Sequence, residues 1–270
     1  MYEKILVKNA QAGDRVAMET LLKSLAPRLH RFSQRLCSMH AEDAVQEALL
    51  KVAQELPQFQ GEGALSSWAF TIVRSACSRL SRGKKNEATE FFEEGMVPGS
   101  ESIAFDPERA VLHRERKAAF NCALLALPID LREAVLLRDI EELSAQEAAD
   151  SLHIGVSALK SRLHRGRSAL SGLLEKQLAG GGAPGACPDI LQAMSQKYEN
   201  ALAQSECALL ENHLRGCNKC AAICDRLKKA IAECRSAELT EEQAQGVRND
   251  VQSAMSSWLS TCPSRERGPP

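Results

Sequence analysis

The sequence predicts an all-α protein: two small helical domains joined by a flexible linker, then a small helical, cysteine-rich C-terminal domain. Three observations carry this. Strand-like alternation is absent, and nearly every periodic segment spaces its apolar residues as a helix does. Two spacers interrupt the pattern, an acidic one at 87–107 and the Gly-rich run AGGGAPGA at 179–186. Seven of the ten cysteines fall after residue 186, so the end of the chain has a chemistry of its own. A length of 270 residues fits two or three domains. The expected boundaries are 1–86, the linker 87–107, 108–178, the spacer 179–186, the Cys-rich segment 187–236 and an amphipathic tail with a disordered end at 237–270.

In the first domain the spacing predicts helices near 13–25, 27–37, 41–56 and 66–82, with Pro57 to Leu65 as a loop. The second of these begins at Pro27. A further helix covers 108–127 and stops at Pro128, after which Asp130 and Glu133 mark a capped start. Ser144 with Glu147 three residues on forms a capping box. A short helix then runs to Leu152, breaks at His153-Ile154-Gly155 and resumes at Val156. The apolar stripe of that last helix is Val156, Leu159, Leu163 and Leu170. Lys160, Ser161, Arg162, His164, Arg165 and Arg167 lie on or beside its other face. A helix with such donors fits the DNA major groove, the break and its flanks forming a helix-turn-helix. Near the C-terminal end, Thr240 caps a helix over 241–259 with Ala244, Val247, Val251, Met255 and Trp258 as its stripe.

The net charge of −1 hides segregation. Between 66 and 85 stand five basic residues (Arg74, Arg79, Arg82, Lys84, Lys85) and no acidic ones. Between 87 and 108 stand seven acidic residues and no basic ones. The basic block points to nucleic acid and the acidic block to a solvated linker. With no secretory pattern and no apolar run of membrane-spanning length, a cytoplasmic protein is expected. Its cysteines then read as metal ligands or thiol switches before structural disulfides. Cys37, Cys77 and Cys122, single within helical patterns, read as packed thiols.

Residues 127–167, from LPIDLREAVLLRDIEELS through LSAQEAADSLHIGVSALKSRLHRGR, resemble region 4 of sigma-70-family transcription initiation factors. AEDAVQEALLKVAQEL at 41–56 resembles region 2.2, and GEGALSSWAFTIVRSACSRLSRGKK at 61–85 resembles regions 2.3 and 2.4. The short join leaves no room for region 3, an arrangement similar to the extracytoplasmic-function (ECF) group. His153 and Gly155 depart from the Gly and Ser often found there. The resemblance implies core RNA polymerase and promoter DNA as partners. Asp43, Gln46 and Glu47 match the polymerase-binding helix. Trp68, Arg74, Arg79, Arg82 and Lys84 belong to the segment that reads and opens the −10 element, with the loop 59–65 as a candidate pocket wall. Ser157, Lys160, Ser161, Arg162, His164 and Arg165 are candidates for the −35 duplex.

His213, Cys217 and Cys220 form an H-x3-C-x2-C cluster, and Cys187 stands far enough upstream to be a fourth ligand. Cys3His is a set that tetrahedral Zn²⁺ takes. The segment resembles the zinc-binding anti-sigma domain, so the chain looks like a sigma factor with such a module fused in cis. Cys207, Cys224, Cys234 and Cys262 exceed what one closed site needs. They suggest sensing, through a softer site for Zn²⁺, Cd²⁺ or Cu⁺ or through a thiol–disulfide switch. The Gly-rich spacer would let the module reach back onto regions 2 and 4. Two other readings compete: a helix-turn-helix repressor acting without polymerase, and a constitutive structural zinc module. An enzyme is not expected, because Cys3His leaves no open coordination position and no general base stands beside it.

Overall fold

A computed structural model describes residues 2–60, 64–83, 118–178, 187, 190–199, 202–235 and 238–261. In chain order its helices are α1 (Tyr2–Gln11), α2 (Arg15–Cys37), α3 (Ala41–Glu55), α4 (Leu65–Gly83) and α5, described over 118–125. There follow α6 (Ile129–Val135), α7 (Ala145–Leu152), α8 (Val156–Leu178) and α9 (Ile190–Tyr198). The last three are α10 (Gln204–Gly216), α11 (Asn218–Arg235) and α12 (Glu241–Thr261). Among the described residues there is no strand, so the protein is all-α. The described residues divide into two compact units, one drawn from 1–100 and 239–270, the other from 101–238. No helix among them is long and apolar enough to cross a membrane.

The first unit is built on α2. Asp14 caps it, its Oδ1 accepting from the Val16 N–H at 2.8 Å and the Ala17 N–H at 3.1 Å. The preceding turn needs a left-handed residue, supplied by Gly13 at φ 93°. The break expected at Pro27 does not occur: α2 runs through it. A proline inside a helix costs about 3 kcal/mol. Here Leu21, Leu22, Leu25, Ala26, Leu29, Phe32 and Leu36 are all buried, and apolar side chains of this kind gain roughly 1.5–3 kcal/mol each. Tertiary packing therefore outweighs the local preference. Helices α3 and α4 pack on α2, and Phe70 meets Phe32 with ring centroids 5.0 Å apart. Phe70 is a core residue, as its spacing suggests.

The tail helix α12 belongs to this unit and lies against α3 and α2. Thr240 caps it reciprocally: its Oγ1 accepts from the Gln243 N–H and its N–H donates to Gln243 Oε1. Val247, Val251, Ala254, Met255 and Trp258 recur at helical spacing and are buried. Gln54 of α3 donates to the Ser257 hydroxyl at 3.2 Å. Three expectations for single cysteines are corrected. Cys37 and Cys77 are joined in a disulfide, because α4 packs along α2, with Phe70 against Phe32 and Cys77 further along beside Cys37. Cys122 is exposed rather than packed.

In the second unit α6 starts at Ile129 with Pro128 as its N-cap and no side-chain cap, so Asp130 lies inside the first turn instead of capping it. The helix widens into a π-turn over Leu136–Ile140, closed by the Glu141 N–H on the Leu136 carbonyl. The Ser144–Glu147 capping box is present in both directions. His153 takes the left-handed conformation at φ 54° that ends α7, at a cost of about 1–2 kcal/mol for a residue with a Cβ. The Ile154 N–H on the Ala149 carbonyl closes the turn. Helix α8 crosses α6 closely at Gly166, where an added Cβ would stand 2.9 Å from Val135 Cγ2 and 3.2 Å from the Leu131 carbonyl.

Candidate nucleic-acid interface and metal centre

The helix-turn-helix presents its donors on one side of α8. Leu159, Leu163 and Leu170 are fully buried, which turns Ser157, Lys160, Ser161 and Arg165 to solvent. Arg162 is half-buried, and its Nε lies 4.0 Å from the Asp130 carboxylate. His164 is also half-buried, and its Nδ1 has no partner among the described residues. Val156, placed in the apolar stripe, is only partly buried because it begins the helix at the turn.

Arg167 does not belong to this face. It is 4% exposed and forms the centre of a polar cluster that sequence reasoning missed. Its Nε and Nη2 donate to the two carboxylate oxygens of Asp139. Nη2 also reaches Glu199 Oε1 at 2.9 Å, and Nη1 reaches the Ser195 hydroxyl at 2.8 Å and its carbonyl at 3.2 Å. Arg138 donates to the other Glu199 oxygen at 3.1 Å, and Arg235 donates to the Asp139 carbonyl at 2.7 Å. Burial works against the Arg167 charge, but hydrogen bonds and charge from Asp139 and Glu199 outweigh it and raise its pKa. The cluster joins α8, the π-turn, α9 and α11. A signal was available: the stripe 159, 163, 170 passes through 166–167, which puts Arg167 on the inward side.

In the first unit α3 leaves Asp43 and Gln46 exposed. Glu47 is paired with Arg79 of α4, so a polymerase-side candidate and a DNA-side candidate neutralise each other across the two helices. Arg82 is exposed, with its Nε on the Ser78 carbonyl. Arg74 is half-buried and partnered. Trp68 is half-buried against Phe59, their centroids 5.1 Å apart. These two rings bracket the candidate pocket wall, of which 61–63 lie outside the described residues, as does Lys84.

The second unit gathers Cys187, His213, Cys217 and Cys220, their ligand atoms all within 4.8 Å of one another. His213 comes from the last turn of α10, Cys217 from the break after it, and Cys220 from the first turn of α11. The Cys220 backbone N–H and thiol hold the Cys217 pKa below its ordinary value, while burial pushes Cys220 up. His213 Nε2 is buried with no hydrogen-bond partner. Three sulfurs and an unpartnered imidazole nitrogen at this spacing fit a tetrahedral ion such as Zn²⁺. Among the described residues no other group of three potential ligands converges. Cys224 packs with Met194 and Leu210. Cys234 is 1% exposed, and the Cys207 thiol faces the Leu202 carbonyl at 3.9 Å. Cys262 lies outside the described residues.

A capped helix-turn-helix that turns basic and hydroxyl donors to solvent has the form of a DNA-reading element. Residues 21–87 match the family Sigma-70 region 2, and residues 117–170 match Sigma-70, region 4. The chain is 31% identical over 185 residues to the RNA polymerase sigma-H factor of Pseudomonas aeruginosa, covering 64% of this chain and 94% of that protein. It is 32% identical over 166 residues to the ECF RNA polymerase sigma factor SigM of Mycobacterium tuberculosis, covering 60% and 80%. The co-crystal structure of the sigma factor RpoE in complex with the anti-sigma factor NepR from Bartonella quintana is similar at 27% identity and a TM-score of 0.48, covering 58% of this chain and 95% of that one. The chain belongs to the ECF group of sigma-70-family RNA polymerase sigma factors. It is a transcription initiation factor that directs core RNA polymerase to promoters.

Proposed function

We propose that this sigma factor carries its own metal-responsive regulator, the segment after residue 186. One observation supports it above the rest: the place of Cys187. Its sulfur belongs to the four-ligand cluster, and its carbonyl accepts the Ile190 N–H at the start of α9. Helix α9 in turn delivers Ser195 and Glu199 to Arg167 on the helix-turn-helix. Gathering the four ligands fixes the start of α9, and α9 holds the back of the DNA-reading helix. Bound Zn²⁺ would supply cross-linking and folding energy there, with no chemical step. Cd²⁺ or Cu⁺ acts as inducer where it prefers a different arrangement of the same thiols. Helix α12 gives the regulator a second hold, since it is seated on α3, which carries the polymerase-matching Asp43, Gln46 and Glu47.

In this reading Lys160, Arg162, Arg165, Ser157, Ser161 and His164 serve the −35 duplex. Arg74, Arg79, Arg82, Lys84 and Trp68 serve the −10 strand, and the protein works in the cytoplasm. The test is run-off transcription with core RNA polymerase and the full chain, across chelator, Zn²⁺, Cd²⁺ and Cu⁺. The expected result is a transcript that changes several-fold with metal, and a Cys217→Ser chain whose output no longer responds. Equal transcript under all conditions overturns the regulatory reading and leaves the sigma factor.

A further inference from the structure

Cys37 and Cys77 stand outside the cysteine cluster of the second unit, and neither promoter reading nor metal binding uses them. They are 40 residues apart in sequence, with Cα atoms 5.7 Å apart, a separation that two cysteines bridge without backbone movement. Cys37 is the last residue of α2, and the turn Ser38–His40 leads from it straight into α3. Cys77 stands on α4 between Arg74 and Arg79 in sequence. The bridge therefore clips the α2–α3 corner to the basic helix α4, and the Glu47–Arg79 ion pair ties α3 to α4 as well. Access to the two sulfurs differs. Cys77 is 2% exposed, whereas Cys37 is partly exposed, so Cys37 is the one that a reagent from solvent meets.

We propose that Cys37 and Cys77 form a redox-modification site in region 2, whose oxidant is a small-molecule disulfide of the glutathione class and whose product staples α4 to the α2–α3 corner. The Cys37 thiolate attacks one sulfur of the small disulfide, forming a mixed disulfide and releasing one small thiolate. The Cys77 thiolate then attacks Cys37 Sγ, forming the internal bridge and releasing the second small thiolate. The two protein thiols lose two electrons and two protons, and the small disulfide takes up both and leaves as two thiols. Excess small thiol reverses each step. The bridge closes a long loop in the unfolded chain, so the oxidised unit resists unfolding more than the reduced one. Every residue of the four-ligand cluster lies in the other unit, so the two sites share no side chain.

The test uses the full chain with Zn²⁺ bound, equilibrated in oxidised or reduced glutathione, alkylated and digested without reductant. Oxidised buffer is expected to give a cross-linked peptide pair containing Cys37 and Cys77, and reduced buffer to give both residues alkylated. The melting transition of the first unit is expected to rise by about 5 °C or more on oxidation. A C37S chain should lose the cross-link and the shift, and a C77A chain should keep one glutathione on Cys37. Two results overturn the proposal: both cysteines alkylated in oxidised buffer, or a cross-link that leaves the transition unmoved. A C77A chain with no glutathione on Cys37 overturns the order of attack.

Discussion

Two polar clusters in the second unit invite comparison. The Arg167 cluster is complete in itself: two carboxylates and a serine meet the guanidinium, and Arg138 takes the remaining Glu199 oxygen. The Cys187–His213–Cys217–Cys220 cluster is not. It leaves His213 Nε2 buried without a partner and sets three thiols against one another. A buried polar group without a partner costs about 1–3 kcal/mol, a cost that an ion bound by the second cluster would remove. In the proposed reading one cluster is a fastener and the other a receptor, and α9 with its Cys187 lead-in connects them.

The largest effect that sharpens this contrast falls on the receptor. The full chain is expected to retain one Zn²⁺ by elemental analysis and a Cys220→Ser chain to retain none, with amide hydrogens of its 187–220 segment exchanging much faster. Structural zinc supplies roughly 10–16 kcal/mol in small metal-folded peptides, so partial retention of ordered structure without metal would break the distinction drawn between the clusters. The fastener comes next. Arg167→Met strands Asp139, leaves Glu199 with Arg138 alone, and should cost about 3–5 kcal/mol in a urea melt, the usual penalty for breaking one side of a buried pair. A loss below about 1 kcal/mol, the scale of an exposed pair, would show that the cluster opens to water.

The smallest effect comes from a third arrangement, a half-buried acid with a like-charged neighbour. Asp250 of α12 has its pKa raised to about 6 by burial and by the Glu42 carboxylate. Its folded pKa lies above its unfolded one, so the folded state holds a proton that the unfolded chain has released between about pH 4 and 6. That contribution is present at lower pH and is lost as pH rises through 6. Asp250→Asn should therefore raise the melting temperature of the first unit at pH 7.5 by a few degrees and leave it unchanged near pH 4. An identical pH profile for both chains would show that α12 is not seated by this contact.

Much of the candidate site was legible because its signals are short. The Ser144–Glu147 box, the His213–Cys217–Cys220 spacing and the stripe of α12 each span a few helical turns, and nearby residues are held together by the helix itself. Arg167 was misplaced on the outer face because a single charged residue reads as solvated until its partner is known. Asp139 and Glu199, 28 and 32 residues away, carry no local mark of the pairing. Pro27 misled in the opposite direction, since its local cost is real but the buried row around it decides.

The amino-acid sequence by itself determined the all-α class, the helix-turn-helix with its cap, the His213–Cys217–Cys220 motif and the family, because helical period, capping and ligand spacing act over short distances. Only the tertiary structure decided that α2 passes Pro27, that Cys37 meets Cys77, that Arg167 turns inward and that the tail helix joins the first unit rather than the Cys-rich one. Each of these depends on which surfaces bury each other across tens or hundreds of residues, and chain spacing does not encode that choice locally.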